Sequence, residues 1–288
     1  MQAASGTEAL AQPDMHPLAL ALLWTGLLLA DTPSLFAGDA AEHVVIAGNG
    51  PEAAAIEKLA RAFERANPRA YVDIQWNENF RPLELVKSDQ AQIAVAGRED
   101  PALRALQIGW DGIAIMVNLS NHTKELTTQQ AAQLFTGKIR MWSELGGPDT
   151  RVLLLDRPRN RNIRDTFEQQ LGIVDKIPES AQVIKTDDKA IKTVVGTLPP
   201  LSAVTYISLG PALEAVASGV AVRLMQIDKV EPEEPTVKNG RYGLRRPVLL
   251  LSKKDANPTV DAFTSFALSP EGQKILDIEG YTPLEQKQ

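Results

Sequence analysis

Residues 43–63, HVVIAGNGPEAAAIEKLARAF, join an apolar run to a glycine-containing turn and then to an amphipathic pattern. The run from His43 to Gly48 is typical of a buried strand. After the turn, apolar residues recur at helical spacing, namely at Ile56, Leu59, Ala60 and Phe63. A strand that leads through a short turn into a helix is a building unit of α/β proteins. This segment therefore predicts an α/β fold.

The same alternation continues along the chain. Further strands are predicted at AYVDIQW (70–76), AQIAVAG (91–97), GIAIMVN (112–118), RVLLL (151–155), AQVIK (181–185), AVTYISL (203–209) and RRPVLLLSK (245–253). Helices are predicted at 127–137, 165–171, 188–195, 259–267 and 270–279, the first opening with a capping-box spacing at Thr127 and Gln130. Because parallel strands need crossover connections, we expect a mostly parallel sheet. The acidic, proline-rich segment 229–240 is predicted to be an exposed loop.

Composition narrows the possible functions. The 288 residues carry a formal net charge of −6 and no cysteine. Mild acidity argues against a nucleic-acid partner, which would need a basic face. The histidines, at positions 16, 43 and 122, are far apart, and thiol ligands are absent. We therefore expect no metal site and no cofactor.

The N-terminal region resembles an export signal. Leu18 to Ala30 is a 13-residue apolar run, too short for a comfortable bilayer span, and small residues follow it in FAGDAAEH (36–43). We expect residues 1–40 to be the signal, with cleavage after Ala40 and a periplasmic or secreted product without a lipid-anchoring cysteine. The usual positive charge before the apolar run is missing, and Met15 is an alternative start, with 1–14 an upstream extension. An uncleaved anchor and a buried helix are the other interpretations.

Four arginines lie just before a predicted helix, within the segment DRPRNRNIRDTFEQQLG (156–172). Helix N-termini attract anions through their free N–H groups and the helix dipole. The cluster, Arg157, Arg159, Arg161 and Arg164, is therefore either an anion receptor or a solvated basic loop.

Several segments, in matching order and spacing, resemble the phosphate-binding proteins of phosphate-specific ABC transporters. They are DGIAIMVN (111–118), LTTQQAAQLFTGKIRMWSELGG (126–147), RDTFEQQLG (164–172), YISLG (206–210), VKNGRYGLRRPVLLL (237–251) and SPEGQKILDIEGYTPL (269–284). The resemblance covers residues 43–285. It implies an α/β, two-lobed periplasmic-binding-protein-like (type II) fold with two crossover strands. The first lobe would comprise 41–117 and 245–288, and the second 118–244.

The resemblance also implies a ligand site between the lobes. Members of this family hold phosphate by hydroxyls and backbone N–H groups at helix N-termini, by one arginine and by one aspartate. The arginine matches Arg164 and the aspartate matches Asp111. The other positions expected at the ligand are Asn49, Gly50, Gly97, Arg161 and Asn162.

The hydroxyl-bearing residues of the family are replaced in all three segments. GNGPEAAAI carries Pro51 and Glu52, AVAGRED carries Gly97, and NRNIR carries Arg161 and Ile163. Each lost donor costs about 1–3 kcal/mol if its acceptor stays buried and unpaired. Arg161 either replaces these donors, or fills the pocket and pairs with Glu52. We expect phosphate to bind at least about tenfold more weakly than to an ordinary member.

These observations predict an exported, monomeric solute-binding protein for phosphate or a related oxyanion, with an altered or lost ligand. Its partner would be an ABC permease. The alternative is a sensory or protein-interaction module on the same scaffold, working with a membrane sensor. No nucleophile–base pair, metal constellation or phosphate-cradling loop is present in the sequence, so we expect no enzymatic activity.

Overall fold

The computed structural model describes residues 42–198 and 201–284. The predicted export signal, residues 1–40, lies outside the described residues. The strands are β1 (Glu42–Gly48), β2 (Ala70–Trp76), β3 (Ile93–Ala96), β4 (Arg104–Asn118), β5 (Glu125–Leu126), β6 (Leu153–Asp156), β7 (Gln182–Val183), β8 (Ala203–Ser208), β9 (Val222–Leu224), β10 (Gln226–Ile227), β11 (Arg245–Ser252) and β12 (Thr282–Pro283). The helices are α1 (Ala53–Ala66), α2 (Pro82–Lys87), α3 (Thr128–Phe135), α4 (Asn162–Leu171), α5 (Asp187–Gly196), α6 (Leu209–Ala217), α7 (Glu234–Lys238), α8 (Pro258–Leu268) and α9 (Pro270–Ile278).

The main sheet runs in the order β2-β1-β3-β11-β4-β8-β6-β7, with β9 and β12 also paired to β4. Strand β1 is parallel to β2 and β3, and β6 is parallel to β7 and β8. The two strands at the centre, β4 and β11, are antiparallel to each other and to their other neighbours. The expectation of a mostly parallel sheet is therefore wrong at the centre. Strand β4 leaves one half of the molecule and β11 returns beside it, so the two must run in opposite directions.

The described chain has two lobes, each with a large apolar core of its own. One core is built from residues between Val44 and Ile108 and between Val248 and Tyr281. The other is built from residues between Ile113 and Leu244. Strand β4 contributes to both cores and, with β11, crosses between them. The exact lobe boundaries, at 117/118 and 244/245, stay a prediction.

Several local expectations need correction. Helix α4 begins at Asn162, three residues before the predicted start, so the arginine cluster reaches into its first turn. The segment 229–240, predicted to be an exposed loop, contains α7, and Val237 is fully buried in the second core. Helices α2 and α6 were not predicted, because α2 has only six residues and α6 directly follows an apolar strand. No helix in the described ranges is both long and apolar enough to cross a bilayer.

Candidate functional site

The turn after β1 directs an acidic side chain into the interior. Glu52 is the residue before α1, yet its side chain does not cap that helix. It is fully buried, and its carboxylate forms an ion pair with the Arg246 guanidinium and accepts a hydrogen bond from Asn162 Nδ2 at 3.1 Å. A Cβ at Gly50 would lie 2.0 Å from Glu52 Oε2, so this turn needs glycine there for the carboxylate to fit.

Strand register supplies the second half of this buried group. Arg246 on β11 is paired with Asp111 on β4, and its Nε and Nη2 donate to Asp111 Oδ2 at 3.0 and 2.7 Å. Ser208, at the end of β8, donates to the same oxygen at 2.8 Å. Burial raises the pKa of the Asp111 carboxyl, and Arg246 only partly opposes this effect. We call Glu52, Asp111, Asn162 and Arg246 the inner seat.

The inner seat holds more negative than positive charge. Two carboxylates share one guanidinium, and all three side chains are at most 1% exposed. Burial opposes the charge of Arg246, but the two carboxylates outweigh it and raise the pKa of this side chain. The proposed pairing of Glu52 with Arg161 is wrong, since Arg246 is the partner. The inner seat is thus already filled by a carboxylate of the chain itself.

Arg164, the family-matched arginine, belongs to a second buried cluster. Its Nε donates to Asp156 Oδ2 at 3.0 Å, and its Nη2 lies 2.8 Å from Glu168 Oε1. The Tyr206 hydroxyl donates to Asp156 Oδ1 at 2.7 Å. Burial raises the pKa of the Glu168 carboxyl, and the charge of Arg164 partly offsets this rise. Asp156 and Glu168 are thus the ion-pair partners of Arg164.

Arg161 and Asn49 join the turn before α1 to the loop before α4. The Arg161 guanidinium donates to the Asn49 carbonyl and, at 3.1 Å, to the Lys185 carbonyl. Asn49 Nδ2 donates to the carbonyls of Phe80 and Asn160, at 3.1 and 2.6 Å. Both side chains thus bond to main-chain oxygens, and they hold segments of the two lobes together.

Two cavities open beside these groups. The larger, about 580 Å³, is lined by residues of both lobes, among them Asn49, Arg81, Gly97, Arg98, Arg159, Asn162 and Thr166. We call it the outer cavity. The smaller, about 310 Å³, is lined by Gly50, Arg157, Arg161 and Asp187, among others.

The structure therefore separates the seven predicted ligand residues. Asn49, Gly97 and Asn162 line the outer cavity, and Gly50 and Arg161 line the smaller one. Asp111 and Arg164 are buried in ion pairs and line neither. Whether any of the seven binds a ligand stays a prediction. No group of three or more candidate metal-ligating side chains occurs in the described ranges.

Sequence reasoning missed Arg246. The available signal was an arginine pair at the start of an otherwise apolar strand, RRPVLLLS. Arginine is rarely fully buried unless it is paired, so the position called for an acidic partner. Which acid it would pair with depended on the β4–β11 register and on the turn before α1, and neither could be derived from local sequence.

Two cores, two crossover strands and a polar cleft define the class of two-lobed α/β binding proteins. Comparison with known proteins assigns the family. The PBP superfamily domain profile matches residues 36–271. The chain belongs to the PBP superfamily.

Three similar proteins within that superfamily are phosphate-binding or phosphate-transport proteins. The phosphate-binding protein PstS of Bacillus subtilis is 25% identical over 254 residues, covering 85% of this chain and 82% of the relative. A phosphate ABC transporter substrate-binding protein from Clostridium perfringens, solved with bound phosphate, superposes with a TM-score of 0.74 at 26% identity. An ABC-type phosphate transport receptor from Vibrio cholerae gives 0.74 at 25% identity. The chain covers all of both solved structures, which match 85% and 84% of it.

Proposed function

We propose that this chain is the solute-binding component of an ABC transporter of the phosphate type, and that it binds an oxyanion between its two lobes. The observation that carries the proposal is the outer cavity. It is lined by residues of both lobes, and three of them are arginines, namely Arg81, Arg98 and Arg159. Ligands of concave sites are held by a few well-placed polar groups, and guanidinium groups suit phosphate and carboxylate. The phosphate-binding relatives support the same conclusion.

The proposal includes export and delivery. The apolar run at 18–30 and the small residues before Ala41 support a cleaved signal, and the solute would pass from a monomeric protein to an ABC permease. Such a protein binds its solute and releases it without chemical change. N-terminal sequencing of the exported protein should give a start near Ala41, and a product that still begins at Met1 or Met15 would contradict the cleavage.

A ligand screen tests the binding function. Purified protein is heated with phosphate, sulfate, phosphonates and organic phosphates, and hits are confirmed by calorimetry. A ligand that binds only the folded state stabilises it by about 2.7 kcal/mol at 100 times its Kd, so a true solute raises the melting temperature. We expect at least one oxyanion to do so.

A screen in which no oxyanion changes the melting temperature would contradict the proposal. The filled inner seat would then favour the alternative, a sensory or interaction module that retains the two-lobed scaffold. Pull-down of a membrane sensor by the wild-type protein would support that alternative.

A further inference from the structure

The inner seat is unsuited to inorganic phosphate. The Glu52 carboxylate already forms an ion pair with Arg246 and accepts a hydrogen bond from Asn162 Nδ2. A phosphate group carries about −1.5 to −2 charges at neutral pH, and it would join two buried carboxylates beside one guanidinium. Like charges brought together away from water are strongly unfavourable. An anion must therefore bind elsewhere, or displace Glu52.

The outer cavity begins at the edge of the inner seat. Asn162 belongs to both, because its amide nitrogen donates to Glu52 while the residue also lines the cavity. Gly97, which also lines the cavity, lies against the seat as well: a Cβ there would be 3.3 Å from Arg246 Nη1 and 3.0 Å from Thr166 Oγ1. A ligand in the outer cavity can thus approach the seat without entering it.

The arginines of the outer cavity are more accessible to a ligand than Arg246, the cation of the inner seat. Arg81 and Arg98 are exposed, and among the described residues neither has an ion pair within 4 Å. Arg159 is also exposed and reaches Asp175 at 3.3 Å. Two acids, Glu84 and Asp165, line the same cavity, and Glu84 is already paired with Lys87 at 3.2 Å. The lining thus has one more cation than anions, the reverse of the seat.

A hydroxyl group on the lining of the outer cavity is free to bind a solute. Thr166 lines the cavity, and among the described residues its Oγ1 has no hydrogen-bond partner. This hydroxyl is not among the buried polar atoms that lack a partner. Because a hydroxyl can both donate and accept hydrogen bonds, it suits the hydroxyl groups of a polyol or sugar.

Volume favours a ligand larger than a phosphate ion. The cavity holds about 580 Å³, within the range of about 300–1,000 Å³ that is usual for sites of small organic molecules. A five-atom anion would leave most of this space to water.

We propose that the solute is a phosphate monoester with free hydroxyl groups, bound in the outer cavity. This inference rests on the proposed function. Its phosphate group pairs with the exposed arginines, chiefly Arg98. A hydroxyl of the solute exchanges a hydrogen bond with the Thr166 hydroxyl. Glu52 occupies the inner seat in place of an anion and thereby excludes inorganic phosphate.

Calorimetry with matched ligands tests each part of this proposal. The probes are glycerol 3-phosphate, glucose 6-phosphate, n-propyl phosphate, gluconate and inorganic phosphate. We expect at least one of the two hydroxylated esters to bind at least tenfold more tightly than n-propyl phosphate, which lacks hydroxyls. The same ester should exceed gluconate, which lacks the phosphate, and inorganic phosphate by a similar factor. Arg98→Gln should weaken its binding at least tenfold, whereas Arg65→Gln, an exposed arginine that lines neither cavity, should not.

The outcomes separate this inference from the proposed function. Inorganic phosphate that binds as tightly as the esters would overturn the inference and leave the oxyanion-binding function intact. Equal binding of n-propyl phosphate, tighter binding of gluconate, or an Arg98→Gln variant with wild-type affinity would also overturn it. If none of the five probes binds, this inference fails, and the wider oxyanion screen decides the proposed function separately.

Discussion

At the residue scale, Glu52 decides how the inner seat responds to an anion. Removing its side chain, Glu52→Ala, empties the place of the carboxylate and leaves one carboxylate, Asp111, for Arg246. The seat then loses its excess negative charge, and we expect the affinity for inorganic phosphate to rise about tenfold, equal to about 1.4 kcal/mol. Calorimetry at neutral pH measures this change.

The matched control is Glu57→Ala in α1, the helix that follows Glu52. Glu57 is half exposed, and among the described residues it forms an ion pair only with Arg61, one turn away. Its replacement removes the same charge without touching the seat, so phosphate binding should stay at the wild-type level. Equal affinities of the wild type and Glu52→Ala would refute the exclusion role of Glu52.

Asp111 makes the free energy of unfolding depend on pH. Because burial raises its pKa, the folded protein keeps this proton to a higher pH than the unfolded chain does. The stability that results is fully present below the usual carboxyl pKa of about 3.9 and is lost as the pH rises through the raised value. The free energy of unfolding of Asp111→Asn, relative to wild type, should therefore increase as the pH rises from 4. Urea unfolding from pH 4 to 8 tests this, with exposed Asp255→Asn as the control. A difference that stays constant or falls with pH would contradict it.

Arg164 and Arg159 give a contrast within one arginine cluster. Arg164 is the buried partner of Asp156 and Glu168, so Arg164→Ala leaves two carboxylates without their cation and should cost about 3–5 kcal/mol of unfolding free energy. Arg159 is exposed, and Arg159→Ala should change the free energy of unfolding by less than about 0.5 kcal/mol. Urea unfolding compares the two variants. Similar losses of unfolding free energy for both variants would contradict the different roles assigned to the buried Arg164 and the exposed Arg159.

At the element scale, α3 depends on a cap that was visible in the sequence. Gln130 N–H donates to Thr127 Oγ1 at 3.1 Å, and Thr127 N–H donates to Gln130 Oε1 at 2.8 Å, so the predicted capping box is confirmed. Thr127→Ala removes the acceptor and should lower the free energy of unfolding by about 1 kcal/mol. Chemical unfolding measures this loss. Gln129→Ala, at an exposed helical position, is the control and should not destabilise the protein.

At the scale of the whole molecule, hydrogen bonds between residues of the two lobes hold the lobes together. Asn162 Nδ2 donates to the Glu52 carboxylate, and the Arg161 guanidinium donates to the Asn49 carbonyl. We expect the double variant Arg161→Ala, Asn162→Ala to have a larger radius of gyration in solution than the wild type, since two of the bonds across the cleft are lost. Small-angle X-ray scattering of the ligand-free proteins measures it. Arg140→Ala, an exposed residue outside both cavities, should leave it unchanged, and an unexpanded double variant would contradict closure by these bonds.

Local patterns in the sequence were enough to derive the fold class and the order of most elements. Apolar periodicity and the cap at Thr127 are local signals, because each depends on neighbours within one or two turns of chain. They sufficed for the α/β class, whereas the two lobes and the two crossover strands were implied by the resemblance of several segments to the phosphate-binding family. The comparisons confirm the two-lobed fold. Periodicity reports burial and carries no strand direction, so the antiparallel centre of the sheet remained undetermined.

Which charges meet depends on the tertiary structure. Glu52, Asp111 and Arg246 are separated by 59 to 194 positions in the chain, and the pairing of β4 with β11 brings Asp111 and Arg246 together beside Glu52. The sequence suggested Arg161 as a partner of Glu52, whereas Glu52 pairs with Arg246 in the inner seat. Arg164, which matches the family's ligand arginine, is paired with Asp156 and Glu168, and its role at a ligand stays a prediction. Electrostatic roles follow from distances of a few ångströms between remote segments, and such distances are not encoded in any local pattern.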